Sequence, residues 1–136
     1  RRTADIQVNA SDYDGLDVSM EVPVTAAVDM VGAEYDADCE LREYALINDW
    51  QSSITFECCR MRSYHAVEVT ASNPGAPVKM VFTTDSGMTA AEIEIPSTAS
   101  LTDFITVKGT AEPIDGLTDL RCTVSGMLSL RSFRFF

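Results

Sequence analysis

Apolar and polar residues alternate along most of the chain with a period of two residues. In the clearest run, 33–41, one side carries Ala33, Tyr35, Ala37, Cys39 and Leu41, and the other carries Glu34, Asp36, Asp38 and Glu40. This pattern is typical of a half-buried strand with one solvent-facing side. Similar alternation predicts further strands over residues 6–9, 18–22, 53–59, 64–70, 78–83, 91–95, 104–108, 119–125 and 130–135.

Short polar turns separate these segments. They include Asn-Pro-Gly at 73–75, Asp-Ser-Gly at 85–87, Pro-Ser-Thr at 96–98 and Pro-Ile-Asp-Gly at 113–116, all rich in residues that favour turns. No window long enough for a helix has a convincing helical period. About nine or ten short antiparallel strands joined by such turns predict an all-β fold, a β-sandwich of the jelly-roll type.

The length of 136 residues suits one domain, so we predict a single domain spanning residues 1–136. The chain begins with Arg1 rather than Met, which we interpret as a module taken from a longer polypeptide. No segment has the roughly 18 consecutive apolar residues of a membrane span, and no signal peptide is evident.

Negative charge is concentrated in the first third of the chain. The formal net charge is −11, and residues 1–50 carry 12 acids and 3 bases, against 9 acids and 7 bases in the remainder. Such a surface disfavours nucleic acid, anionic lipid and polyanionic sugars, whereas a neutral ligand is not repelled. Simple solubility is the more common reason for an excess of acids.

The four cysteines are Cys39, Cys58, Cys59 and Cys122, and none belongs to a Cys-x-x-Cys pair. With a single histidine in the chain, the spacing does not suit a zinc site. An even number of cysteines permits one or two disulfides in an exported protein and equally permits buried free thiols, so the connectivity stays open.

No recognisable catalytic motif is present. His65 is the only histidine and lies in the predicted strand 64–70, with no Gly-x-Ser-x-Gly motif elsewhere. Nothing singles out two of the 21 acids as a glycosidase pair. Asp36, Asp38 and Glu40 have the spacing of a calcium loop, but Leu41 occupies the position of its glycine. We therefore expect a protein that is not an enzyme.

The second half of the chain contains four motifs in a fixed order. They are INDWQSSITFECC at 47–59, SYHAVEVTASNPGAPVKMVF at 63–82, IEIPSTASLTDFITVKG at 93–109 and IDGLTDLRCTVSGMLSLRSFRF at 114–135. The series resembles the family 6 carbohydrate-binding modules and the related family 35, over most of residues 5–135, and DGLTDLRCTVSG is its most specific part. The resemblance implies a jelly-roll β-sandwich that binds sugar in a loop cleft, on the concave face of one sheet, or at both.

Position by position, the resemblance implies a carbohydrate-binding set of Tyr44, Leu101, Asp103 and Ser129. Tyr44 falls on an aromatic residue that stacks against a sugar ring, whose C–H face is apolar. Leu101 replaces a loop tryptophan of the family, and Ser129 replaces an asparagine, so the cleft departs from the usual form. Trp50 falls on the tryptophan of the family's Asp-Trp motif, which starts a strand, and we expect it to pack in the core.

The ligand positions of the family's structural calcium are altered in this chain. They correspond to Gln7, Asn9 and Arg131, and two neutral amides with a cation form a poor site for a hard divalent ion. The sequence therefore leaves a calcium requirement undecided. We hypothesise that Arg131 replaces the metal by hydrogen bonding to the side-chain amides of Gln7 and Asn9.

The resemblance implies a secreted, monomeric, non-catalytic module that binds a neutral plant or microbial polysaccharide of the β-glucan or xylan type. Its role would be to hold an attached glycanase at its substrate, with no nucleic-acid or membrane partner. The alternative is a structural or protein-interaction module whose sugar site has been lost, which Leu101, Ser129 and Arg131 favour. A small lyase or hydrolase on the same fold is a third interpretation.

Overall fold

The computed structural model describes residues 15–31, 33–35, 45–47, 52–100 and 102–136. Twelve strands of this part of the chain belong to one hydrogen-bonded sheet. They are β1 (Leu16–Asp17), β2 (Val22–Pro23), β3 (Asp29–Val31), β4 (Ala33–Tyr35), β5 (Ala45–Ile47), β6 (Ser53–Arg62), β7 (Ala66–Ser72), β8 (Val78–Thr84), β9 (Thr89–Ile95), β10 (Ile105–Ala111), β11 (Asp115–Val124) and β12 (Leu128–Phe135).

The strands follow the spatial order β1-β6-β11-β8-β9-β10-β7-β12-β5-β4, while β2 pairs with β12 and β3 with β6. All of these pairs are antiparallel except β1 and β6. Strand β10 pairs with β7 along most of its length but with β9 only at Thr110 and Ala111. It is therefore the corner at which the sheet folds over on itself into a sandwich.

The two layers of the sandwich are named here by their central strands. The β11 layer contains β6, β11, β8 and β9, and the β7 layer contains β10, β7 and β12. Phe56 and Phe82 of the β11 layer meet Phe133 of the β7 layer, with ring centroids 4.8 and 5.0 Å from that of Phe133. All three rings are at most 1% exposed. Since side chains alternate along a strand, the residues next to Phe56 and Phe82 face outwards, whereas Ser132, next to Phe133, is itself buried.

The predicted all-β fold is confirmed. The segments predicted over 53–59, 78–83, 91–95, 104–108, 119–125 and 130–135 correspond to β6, β8, β9, β10, β11 and β12. Strand β4 covers the first three residues of the run predicted over 33–41. The strand predicted over 6–9 lies outside the described residues.

The strand predicted over 18–22 is wrong. The Asp17 carboxylate accepts hydrogen bonds from the Ser19 N–H at 3.0 Å and from its hydroxyl at 2.6 Å, and the Met20 N–H donates to the Asp17 carbonyl at 3.3 Å. These local bonds turn the chain, since a short acidic side chain competes with strand pairing for backbone N–H groups. Val18 and Val22 are nevertheless buried, so the apolar pattern reports burial rather than strand geometry.

His65 was predicted to lie in a strand, but it lies in the connection before β7 and is exposed. Its N–H donates to the Phe136 carbonyl at 3.1 Å, and the Ala66 N–H donates to the same oxygen at 2.8 Å. The neighbouring Tyr64 packs against the core instead, with its ring 6.1 Å from that of Phe135. Strand β7 therefore begins two residues later than the pattern predicted.

The three cysteines within the described residues, Cys58, Cys59 and Cys122, are free thiols. The fourth, Cys39, lies outside these residues. Burial raises the pKa of the Cys122 thiol to about 12, because the interior disfavours a thiolate. In the part of the chain that the structure describes, no helix is long and apolar enough to span a membrane.

Candidate functional site

Two of the four predicted sugar-binding residues, Tyr44 and Leu101, lie outside the described residues, as does Trp50. Asp103 is exposed in the connection between β9 and β10, and its N–H makes a long hydrogen bond of 3.4 Å to the Ser100 carbonyl. Ser129 lies on β12 opposite Ser72 of β7 and is fully buried. The predicted sugar-binding set therefore stays a prediction. Of its two described members, Asp103 is accessible to solvent and Ser129 is not.

The loop end of the β7 layer carries an aromatic ring covered by a cation. The Arg131 guanidinium lies 4.0 Å from the ring centroid of Phe104, a favourable electrostatic contact with the ring face. Among the described residues, the buried Ser129 hydroxyl and Arg131 Nε have no hydrogen-bond partner. Since Arg131 covers Phe104, that ring is not a free stacking platform.

The predicted calcium positions Gln7 and Asn9 also lie outside the described residues. Arg131, the third position, contacts Phe104 as just described. Within the described ranges, no group of three or more His, Cys, Asp or Glu side chains is arranged to hold a metal ion.

A groove of about 310 Å³ lies on the outer face of the β11 layer. We call it the β11 groove, and its lining residues are Thr55, Thr83, Thr84, Asp85, Gly87, Asp119 and Arg121. Arg121 is the direct cross-strand partner of Thr55 on β6 and of Thr83 on β8. With strands about 4.8 Å apart, these three side chains form a row of about 10 Å across the sheet.

The carboxylates of the groove are fixed by backbone N–H groups. Asp119 accepts the Cys58 N–H at 3.0 Å, and Asp85 accepts the Asp119 N–H at 3.2 Å. The Thr118 hydroxyl oxygen accepts a hydrogen bond from the Asp85 N–H at 3.2 Å. The β8–β9 turn that carries Asp85 is therefore tied to β11, so the two carboxylates keep their positions on the edge of the groove.

Arg121 is the only cation among the described lining residues of the groove. Its side chain is exposed and makes no ion pair within the described residues, although Asp119 lies two residues away on the same face of β11. Its guanidinium offers five N–H donors in a fixed plane, while each carboxylate keeps further acceptor sites. The groove thus presents donors, acceptors and hydroxyls together, which suits a ligand rich in hydroxyl groups.

The sequence contained a signal for the groove that the prediction did not use. In TDLRCTV, residues 118–124, Leu120, Cys122 and Val124 are buried, so alternation places Asp119 and Arg121 on the opposite face. The row with Thr55 and Thr83 depends on register between distant strands, which a single sequence does not reveal.

No family model matches the chain, and no curated protein matches its sequence. Solved structures do resemble it. A β-1,3-glucan-binding family 6 carbohydrate-binding module from Bacillus halodurans has a TM-score of 0.78 and 16% identity, covering 90% of this chain and 98% of that one. A family 6 module from Clostridium cellulolyticum in complex with xylose has a TM-score of 0.80 and 11% identity, covering 89% and 99%.

The chain has the fold of a family 6 carbohydrate-binding module. A third structure, the module from Cellvibrio mixtus lichenase 5A in complex with cellotriose, has a TM-score of 0.72 and 13% identity, with 87% and 96% of the two chains covered. The expected resemblance to family 6 is confirmed at the level of the fold. At identities this low, the ligand has to be inferred from the residues of this chain.

Proposed function

We propose that the protein is a non-catalytic module that binds a neutral polysaccharide of the β-glucan or xylan type. The observation that carries this proposal is the β11 groove, an open polar groove on a sheet face of a carbohydrate-binding-module fold. Family 6 structures with the same fold include one described as binding β-1,3-glucan and one in complex with xylose. The groove gives a sugar chain an accessible surface that the buried Ser129 does not.

The chemistry of the groove suits the rim of a pyranose. The Arg121 guanidinium donates to sugar oxygens, and the Asp85 and Asp119 carboxylates accept from sugar hydroxyls. Hydrogen bonds that involve a charged partner are about twice as strong as neutral ones. The described lining contains no aromatic ring, so hydrogen bonding carries the recognition there, and we expect affinities of about millimolar to micromolar.

The wider setting follows from the same proposal. Binding of a polymer would raise the local concentration of an attached glycanase at its substrate. We propose a secreted, monomeric module attached to a catalytic domain, and that domain would hydrolyse the polysaccharide. The protein has a net charge of −11, which favours a neutral polysaccharide over a polyanionic one as its ligand.

Affinity electrophoresis of the protein against neutral β-glucans, xylan and mannan tests the proposal. Arg121→Ala should abolish most of the retardation, whereas Lys79→Ala should leave it unchanged, because Lys79 pairs with Glu92 at 3.4 Å outside the groove. Tyr44→Ala tests the predicted loop cleft in the same gels. Retardation lost only in Tyr44→Ala would place the site in the loops, and no retardation on any polymer would contradict the proposed function.

A structural or protein-interaction role is the second candidate. Ser129, at the position of the family's cleft asparagine, is fully buried, and Arg131 covers the nearby Phe104 ring. Both observations favour a loop cleft that no longer accepts a sugar. Absence of binding to every polymer, with the fold intact, would support this candidate.

A further inference from the structure

The outer face of the β7 layer points away from the β11 groove. Phe133 and Phe135 point from β12 into the core, towards Phe82 of the β11 layer. Alternation therefore places Arg134 and Glu68 on the opposite side of the β7 layer. A ligand on this outer face is separated from the β11 groove by the whole thickness of the sandwich.

Three charged residues form a row across this face. Glu68 of β7 is the cross-strand partner of Lys108 on β10 and of Arg134 on β12. Opposite charges at cross-strand positions attract each other across a sheet. Here neither cation comes within 4.0 Å of a carboxylate among the described residues.

Both cations turn instead towards one aromatic ring. Lys108 Nζ lies 4.8 Å and the Arg134 guanidinium carbon 5.0 Å from the ring centroid of Phe136. The Phe136 backbone is fixed because its N–H donates to the Ala66 carbonyl at 2.9 Å and its carbonyl accepts the Ala66 N–H at 2.8 Å. Two cations without carboxylate partners thus converge on a ring held in place at the sheet surface.

A hydroxyl row and a groove adjoin this charged row. Thr106 and Thr70 are cross-strand partners whose hydroxyls lie 3.2 Å apart, and Ser132 pairs with Thr70 on the other side. The Ser132 hydroxyl donates to Glu21 at 2.8 Å. A groove of about 230 Å³ runs beside them, lined by Glu21, Glu68, Thr70, Ser132, Phe133 and Arg134.

Charge complementarity defines the group that this face would bind. In a chain with 21 acids and 10 bases, Lys108 and Arg134 flank the single carboxylate of Glu68, so this row has a net charge of +1. A single anionic group in contact with both cations is attracted by Lys108 and Arg134 and repelled by Glu68 alone, whereas a long polyanion also meets repulsion from the remaining acids. The adjoining Thr70 and Thr106 hydroxyls supply partners for the rest of a polar ligand.

We propose that Lys108, Arg134, Phe136 and the adjoining hydroxyl row form a second binding site, for a saccharide that carries one anionic substituent, a carboxylate or a sulfate ester. The anionic group sits between Lys108 and Arg134, and the sugar hydroxyls contact Thr70 and Thr106. The saccharide part rests on the proposed function, whereas the anion part rests on the two cations alone. Because the site faces away from the β11 groove, it would bind a different chain or a different branch of the polymer.

Backbone amide NMR titration of the whole chain tests this site directly. The probes are a glucuronosyl-substituted xylotriose, the same compound with its carboxyl group reduced, glucose 6-sulfate and inorganic sulfate. We expect the acidic saccharides to shift the amides of Lys108, Glu68, Arg134 and Phe136. The carboxyl-reduced probe should leave these amides unshifted. Comparison of the carboxylate probe with the sulfate ester decides which anion the site prefers.

Matched variants give effects of opposite sign. Lys108→Gln should weaken binding of the preferred acidic probe about threefold, and the double variant with Arg134→Gln about tenfold, since each exposed contact with the anion contributes modestly. Glu68→Gln should strengthen binding about twofold, because it removes a like charge. Lys79→Gln on the β11 layer is the control and should change nothing.

Three results would overturn the proposal. They are equal binding of the acidic and carboxyl-reduced saccharides at this face, unchanged affinity in the double variant with an intact amide spectrum, and inorganic sulfate binding as tightly as the saccharides. The last result would leave an anion site without sugar recognition. Failure of the proposed function appears separately, as an absence of neutral-oligosaccharide shifts around Arg121, so the two outcomes are distinguishable.

Discussion

The Asp119 carboxylate accepts the backbone N–H of Cys58 at 3.0 Å, across the bulge between β11 and β6. Phe56 pairs with Leu120 and Cys59 with Thr118, so two residues of β6 oppose Asp119 alone. Cys58 adopts φ 55°, a left-handed conformation that is unfavourable for residues with a Cβ. One side chain therefore stabilises the bulge and forms part of the wall of the β11 groove.

Replacing Asp119 should affect both stability and binding. Asp119→Ala leaves the Cys58 N–H without its acceptor, and we expect a loss of about 1–2 kcal/mol in the free energy of unfolding. Asp119→Asn keeps an acceptor oxygen and should recover most of this loss. Urea denaturation measures the stability, and affinity electrophoresis measures the binding. Equal stability of wild type and Asp119→Ala would show that the bulge does not need this bond.

Phe133 joins the two layers, and its loss should be the most damaging core substitution. Its ring contacts Phe56, Phe82 and Phe135 and is 1% exposed. Phe133→Ala removes these contacts and leaves a cavity, at a cost of about 3–5 kcal/mol. Met127→Ala is the control, because Met127 is 48% exposed, and should change stability by less than about 0.5 kcal/mol. Thermal and urea unfolding followed by circular dichroism would compare the two.

Gly109 permits close contact between β10 and β9 at the corner of the sandwich. A Cβ at this position would lie 2.6 Å from the Glu92 carbonyl oxygen and 2.7 Å from the Ile93 Cβ. Gly109→Ala should therefore push the two strands apart and destabilise the fold by about 2 kcal/mol.

Gly87 is the matched control for that substitution. It has φ +88° and nothing within 4 Å of an added Cβ, so Gly87→Ala involves backbone strain alone, at about 1 kcal/mol. Differential scanning calorimetry of both variants separates the two causes. A smaller effect at Gly109 than at Gly87 would contradict the close approach at the corner.

The thiols should differ in reactivity. Cys58 is half-buried, while Cys59 and Cys122 are buried, and thiols shielded in an apolar interior react slowly. In a Cys39→Ser variant, which removes the thiol outside the described residues, a disulfide-exchange reagent should label Cys58 first. The other two should react only on unfolding. Rapid labelling of all three thiols in the native state would contradict the structure.

Stability should fall at high pH because of Cys122. Burial raises the pKa of its thiol from an ordinary value of 9.0 to about 12 in the folded protein. Above pH 9 the unfolded chain loses this proton while the folded chain keeps it, so stability present below pH 9 is lost as the pH rises towards 12. At pH 10.5 the loss from this group is about 2 kcal/mol. Urea denaturation between pH 8 and 10.5 should show a shallower fall in Cys122→Ala, and equal slopes would contradict the prediction.

Much of the fold could be predicted because alternation is a local property. The runs that became β8, β9 and β11 have apolar residues at every second position, and these residues form the core. In β6 and β12 the alternation shifts by one residue at a bulge. The pattern failed at 18–22, where the Asp17 side chain captures the Ser19 N–H and bends the chain between two buried valines. Apolar spacing indicates which residues are buried, but a short side-chain hydrogen bond decides the backbone path.

By itself, the sequence determined the all-β class, the resemblance to family 6 modules, and the solvent-facing positions of Asp119 and Arg121. Only the tertiary structure decided that Thr55 and Thr83 flank Arg121, and that Lys108 and Arg134 converge on Phe136. Each of these groupings joins strands that are distant in the chain. Strand register is set by packing of the two layers and by bulges, and a shift of one residue moves every side chain to the other face. The sequence could therefore predict which sheet face each side chain occupies. Which side chains of different strands lie together depends on the register, which only the structure shows.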